Sequence, residues 1–195
     1  MSEGLREIIN KLWIAPENAE WTLKTDVVPL SDLRRWLKSD DIEIVGFAHS
    51  LIDDDRFRIE PALTVNEYKD FLKHYFERCL REDPQGEWSD DRYSAGREMV
   101  NIFASLWRDS SVPREVLKEL KVWLGDLYKE GDEKIRKCLV NATLEHLFER
   151  KDIREFFSDW KNDKVLAVAH KEASDWYLGG GNTPLGKQVF PPRKR

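Results

Sequence analysis

Apolar positions recur every three or four residues over most of this chain, which predicts helical rods rather than pleated strands. The clearest run covers residues 64–83. Thr64 and Glu67 stand as a capping box, Leu63 and Tyr68 as a hydrophobic staple, and Val65, Phe71, Leu72, Tyr75, Phe76, Cys79 and Leu80 continue one face. Asp83-Pro84-Gln85-Gly86 stops that helix. The next is read with Ser89 as its N-cap, Trp88 and Tyr93 as its staple, and Val100, Phe103, Leu106 and Trp107 on its buried face. Pro113 suits a first helical position ahead of Val116, Leu117, Leu120, Trp123, Leu124, Leu127 and Tyr128. Gly131 follows as a stop and Asp132 as the cap of a helix that buries Ile135, Cys138, Leu139, Ala142, Leu147 and Phe148. Two shorter helices are expected from Asp152 to Trp160 and from Asp163 to Tyr177.

The first sixty residues carry weaker signals. Leu5, Ile8, Ile9 and Leu12 suggest an opening helix, and Leu30 to Leu37 a second one, entered from Pro29 with Ser31 as its cap. Residues 42–52 fit a helix or a strand, because the β-branched start and the Ala-His-Ser-Leu end pull in opposite directions. Ile59 to Leu63 reads as extended chain or turn. Alternating patterning with hairpin signals is missing, which argues against all-β and βαβ folds. LRRWL at 33–37 and LKVWL at 120–124 each lead into a segment opened by acids, as a stacked helix-hairpin repeat would. The expected fold class is therefore all-α: a helical bundle or a short α-solenoid of antiparallel hairpins. Residues 1–178 are expected to form one helical domain, and residues 179–195 a flexible basic tail.

Composition narrows the function classes. With 41% hydrophobic and 35% charged residues, the 195-residue chain is globular and large enough for its own core. Its net charge is −5, and the last nine residues hold four of the 32 bases and none of the 37 acids, so the body is more acidic than the total suggests. An acidic body disfavours nucleic acid, whose phosphates need a cationic face, and favours a basic protein partner. Two cysteines, Cys79 and Cys138, sit inside apolar helical patterns and read as buried thiols of a reducing compartment. No apolar run approaches membrane-spanning length and no signal-peptide core opens the chain, so a cytoplasmic protein without membrane contact is expected.

Catalytic and cofactor signatures fail on their own chemistry. Gly181 to Gln188 (GNTPLGKQ) approaches a phosphate-binding loop, but a helix precedes it, Gln188 replaces the magnesium-binding hydroxyl, and Val189-Phe190-Pro191-Pro192 cannot open a helix. The four histidines, His49, His74, His146 and His170, are not paired at metal-ligand spacing. Asp53-Asp54-Asp55 lacks the spaced ligands, glycine and terminal Glu of a calcium loop. No catalytic residue, cofactor or metal is expected. An enzyme would need histidines and carboxylates brought together by the fold. The partner-binding candidates are two acidic clusters: Asp53, Asp54 and Asp55, and Glu87, Asp90 and Asp91 as a rim around an exposed Trp88. Acids beside an aromatic anchor suit a basic partner, although acids in a first helical turn also favour the helix dipole.

The stretch YKEGDEKIRKCLVNATLEHLFERKDIREFF, from Tyr128 to Phe157, opens a helix with Asp132 and Glu133, follows with Arg136 and closes on Leu144, Glu145 and Leu147. In this the region from about Val116 to Trp176 resembles small HEAT-like helical bacterial proteins, among them immunity proteins of polymorphic-toxin systems. The resemblance covers about a third of the chain and implies a protein-binding module without catalysis, without identifying a toxin; together with the acidic body, the expected partner is a protein such as a basic toxin domain, neutralised by occlusion.

Overall fold

The computed structural model describes residues 26–54 and 57–179, together with Gly4 and Arg6. The opening helix expected over Leu5–Leu12, the Gly181–Gln188 loop and the basic tail lie outside the described residues. The described chain is predominantly helical, as the periodicity predicts. In order it runs β1 (Asp26–Pro29), α1 (Leu30–Trp36), α2 (Ile42–Ile52), β2 (Phe57–Glu60), α3 (Val65–Glu82), α4 (Arg92–Arg108) and α5 (Arg114–Glu130). Then α6 (Glu133–Cys138) passes through a π-helical stretch (Leu139–Leu144) into α7 (Glu145–Phe148), followed by α8 (Lys151–Phe156), a 3-10 turn (Ser158–Asn162) and α9 (Leu166–Gly179).

Two features add to the sequence reading. β1 and β2 pair in parallel, Val28 opposite Ile59, so the chain does hold a small sheet. Parallel strands need a crossover, and here α1 and α2 supply it. Each strand has only four residues, so the alternation is too short to stand out along the chain: in β2 it amounts to Phe57 and Ile59 turning inward. Residues 42–52 resolve as helix, because Asp41 accepts the Glu43 N–H as an N-cap and Val45, Phe47, Ala48 and Leu51 reach the core.

Local chemistry sets the other boundaries. The Thr64–Glu67 capping box forms in both directions. Asp83 closes α3 in the left-handed region at φ 50° and sends its N–H back to the Cys79 carbonyl. Pro113 precedes α5 by one residue, and Asp132 caps α6 by accepting the Ile135 N–H. Helix α9 begins three residues after Asp163, whose carboxylate accepts the N–H groups of Val165 and Leu166.

Helix α3 touches α2, α4 and α5, while α9 lies across α5, α7, the π-helical stretch and the 3-10 turn. The core joins Phe47, Tyr75, Phe76, Phe148 and Phe157, all fully buried. Both tryptophans of the sequence echo, Trp36 and Trp123, are buried, and an Asp caps the helix after each. Burial of such large rings stabilises by roughly 3 kcal/mol apiece. The π-helical stretch places Thr143 fully inside, where its hydroxyl donates to the Gly96 carbonyl of α4 at 2.9 Å.

Candidate functional site

The loop joining α3 to α4 holds four of the sequence-predicted site residues, and its backbone is clamped from three directions. Its ends are tied together: Asp83 accepts the Arg92 N–H at 3.0 Å and the Arg92 guanidinium at 3.1 Å, and Arg92 Nε donates to the Leu80 carbonyl at 2.6 Å. From α2, the Glu43 carboxylate accepts three successive N–H groups, those of Glu87 (2.8 Å), Trp88 (3.0 Å) and Ser89 (3.0 Å), and also the Ser89 hydroxyl. Burial alone would raise the Glu43 pKa, but these hydrogen bonds outweigh it and hold the carboxyl below its usual range. Two glycines make the approach possible. A Cβ on Gly86 would stand 1.8 Å from a Glu43 oxygen, and one on Gly46 would stand 2.4 Å from the Trp88 carbonyl.

Third, the Tyr75 hydroxyl donates to the Asp90 carboxylate at 3.0 Å and accepts the Asp90 N–H at 2.9 Å. Burial drives the Tyr75 phenol well above its ordinary value, so it stays protonated and keeps donating. Beneath it, His49 stacks on Tyr75 at 4.6 Å and meets Phe76 edge-on at 5.4 Å. Burial lowers its pKa to about 4, so the imidazole is neutral, and its Nε2 has no hydrogen-bond partner.

This geometry corrects the sequence reading of the loop. Asp91, not Ser89, is the N-cap of α4, accepting the N–H groups of Tyr93 and Ser94 at 2.8 and 2.9 Å. Ser89 is instead buried and bound to Glu43. Trp88 is half-buried rather than exposed, with its ring edge-on to Phe47 at 4.8 Å. The exposed aromatic of the cluster is Tyr93, 52% accessible, which the sequence assigned to the buried staple. Glu87 is exposed.

The second acidic cluster sits at the opposite end of α2. Asp53 ends that helix and accepts the Tyr68 hydroxyl at 3.3 Å, and the Asp54 carbonyl accepts the Phe57 N–H at 2.9 Å. Asp55 lies outside the described residues. Burial, and then the neighbouring Glu98 of α4, raise the Asp53 pKa above its usual range. Glu98 therefore carries acidic charge from α4 to the Asp53 end of α2, while Glu87 and Asp90 edge the other end. The two clusters thus flank one helix. Glu43, Glu98 and Tyr93 are the contributors that the sequence did not single out. Glu43 shows only as a first-turn acid, and nothing along the chain links it to a loop more than forty residues away.

No family model, curated protein or solved structure matches this chain. The geometry therefore carries the functional argument alone. Among the described residues, no three His, Cys, Asp or Glu side chains gather closely enough to hold a metal ion, and no helix is long and apolar enough to cross a membrane. Cys79 and Cys138 are buried free thiols whose pKa values burial pushes up to about 12, well away from a reactive thiolate. The histidines stand on four separate helices. His74 is exposed, His146 bonds Glu149 at 3.1 Å, and His49 and His170 are buried on α2 and α9.

Proposed function

We propose that this protein is a non-enzymatic binding module that engages a basic protein surface through the edge formed by α2, the α3–α4 loop and the start of α4. The observation that carries the reading is the clamped loop. Glu43, Tyr75 and Arg92 fix a loop backbone that has no regular structure, so Glu87 on the loop and Tyr93 in the first turn of α4 are displayed without an ordering cost on binding. Tyr93 is the anchor, an exposed aromatic of the type that dominates interface energies. The surrounding acids supply electrostatic steering and partner choice. An immunity protein that occludes a basic toxin domain has this chemistry, and such an activity needs no catalytic group of its own.

The alternative, an enzyme built from scattered histidines and carboxylates, requires two of the four histidines in one cleft with a carboxylate in reach. Its support is thinner: the cavity beneath α9 takes in His170 and none of the other three. The test is recovery of a partner with the tagged full-length chain from its native cells, followed by affinity measurement. Tyr93→Ala and Glu87→Lys are each expected to weaken binding about tenfold or more. Rising salt should weaken it further, whereas Lys118→Ala on α5 should leave it unchanged. Binding indifferent to Tyr93, Glu87 and salt alike would sink the proposal.

A further inference from the structure

Helix α9 buries Leu166, Ala169 and Ala173 on one side and leaves an apolar strip on another. Val165 at its entrance, then Val168, Glu172 and Trp176, follow one another at helical spacing and so share one narrow face. Val165, Val168 and Trp176 are each 40% accessible or more, and they are three of the seven large hydrophobic side chains exposed among the described residues. A solitary exposed valine needs no explanation, but an aligned set that ends on a tryptophan forms a patch. The Trp176 ring is positioned on one side by His146 of α7, which meets it edge-on at 5.7 Å and is itself bonded to Glu149 at 3.1 Å.

The patch is bordered by acid. Glu172 lies one helical turn before Trp176, and Glu145 precedes His146 on α7. Neither carboxylate accepts a hydrogen bond or forms an ion pair among the described residues. Burial, and then the Glu172 charge, push the Glu145 pKa up to about 7, so the two acids sense each other across the packed helices α7 and α9. Bases in the same region are engaged elsewhere. Lys171 feels Glu172 but is bonded to Asp175, and Lys129 pairs with Asp163 at 2.6 Å. Arg136 donates to the Tyr128 and Lys129 carbonyls, each at 2.8 Å. A group that covers this face must therefore be apolar and cationic at once.

The chain carries such a segment directly after the helix. Residues 180–195 contain Leu185, Val189 and Phe190, the bases Lys187, Arg193, Lys194 and Arg195, and no acid. Gly179-Gly180-Gly181 imposes little steric limit on a reversal of direction. From Val165 to Trp176 the face is about 17 Å long, which five or six extended residues span. Tethering one turn from Trp176 also gives the segment an effective concentration on the order of millimolar, so weak contacts suffice.

We propose that the Val165–Val168–Trp176 face of α9 is the docking site of the chain's own residues 182–195. Leu185, Val189 and Phe190 cover the apolar strip, and the four bases meet Glu172 and Glu145. This contact is separate from the acidic edge at α2 proposed above, and its failure would leave that proposal standing.

The experiment uses the full chain with a nitroxide attached through Gln188→Cys. Cys79 and Cys138 are buried, so the new thiol is the one that reacts. Line broadening is then followed by NMR. The expected result is that the Val165 and Val168 methyl signals broaden more than that of Ala167, which lies on the cavity side of the same helix. Glu172→Lys, a substitution of an exposed side chain, should lower the ratio of docked to free segment about fivefold. Phe190→Ala and rising salt should lower it too. Equal broadening of Val165, Val168 and Ala167, or broadening indifferent to Glu172→Lys, Phe190→Ala and salt alike, overturns the proposal. So does broadening that persists when labelled chain is mixed with isotope-enriched, unlabelled chain, because the occupant is then a second copy.

Discussion

In the loop between α3 and α4, Asp83, Asp90, Asp91 and the incoming Glu43 all accept hydrogen bonds from within the protein. Beneath α9, Lys161 lacks an ion-pair partner among the described residues, and the buried Nε2 of His170 lacks a hydrogen bond. The first region uses charge to hold a shape: Glu43, Asp83 and Asp91 answer backbone N–H groups that would otherwise go unmet, and Asp90 answers the Tyr75 hydroxyl. The second leaves polar groups unanswered in a concave wall, where the buried nitrogen weakens the fold. The contrast separates polar groups that are architecture from polar groups that hold nothing in place. His49 and His170 repeat it: both have an unmet Nε2, but His49 is sealed between Tyr75 and Phe76 while His170 lines a cavity.

The contrast breaks if the loop tolerates change as well as the cavity does. Gly46→Ala drives a methyl into the Trp88 carbonyl and is expected to be the most damaging substitution, at about 3–4 kcal/mol of unfolding free energy in urea melts. Acid titration comes next. The folded-state pKa of His49, about 4, lies below the unfolded value near 6.5. Its contribution is therefore fully present above pH 6.5 and is lost as pH falls toward 4, by roughly 3 kcal/mol. Glu145 runs the other way. Burial and then Glu172 raise its pKa to about 7, so its contribution is fully present below about pH 4.5 and is lost as pH rises toward 7. The two slopes oppose each other between pH 4.5 and 6.5, and His49→Leu and Glu145→Gln should tilt the stability–pH curve in opposite directions.

Glu43→Ala, which abandons three loop N–H groups, should cost about 2 kcal/mol and loosen the environment of Trp88, visible in its fluorescence. Asp91→Ala removes a helix cap and should cost about 1 kcal/mol. The smallest effect sharpens the comparison most. Lys161→Gln should change stability by less than about 0.5 kcal/mol, because no partner is lost.

The helices were largely legible from one-dimensional signals, since periodicity and caps are properties of adjacent residues. The Thr64–Glu67 box, the Asp132 cap and the buried faces of α3, α5 and α6 follow from spacing alone. Strands β1 and β2 were not legible, because four residues offer only two periods and the partner strand lies beyond two helices. The candidate site was legible only as composition. Glu87, Asp90 and Asp91 mark an acidic loop, but the choice between Ser89 and Asp91 as cap depended on Glu43 binding Ser89 from another helix. That same contact turns Trp88 inward onto Phe47. The cavity under α9 left no trace in the sequence, because Arg154, Lys161 and His170 converge only through tertiary packing.

The π-helical stretch at Leu139–Leu144 inserts the equivalent of one extra residue into an otherwise continuous rod. Each residue of a helix advances the winding by about 100°, so this insertion indexes everything after it. Deleting Asn141, which is exposed, would let the rod relax to ordinary winding and rotate α7 by about that angle. Phe148 would swing off His170, and the wall that α9 leans on would face elsewhere. The irregular turn is thus the phase adjustment that brings α7 into mesh with α9.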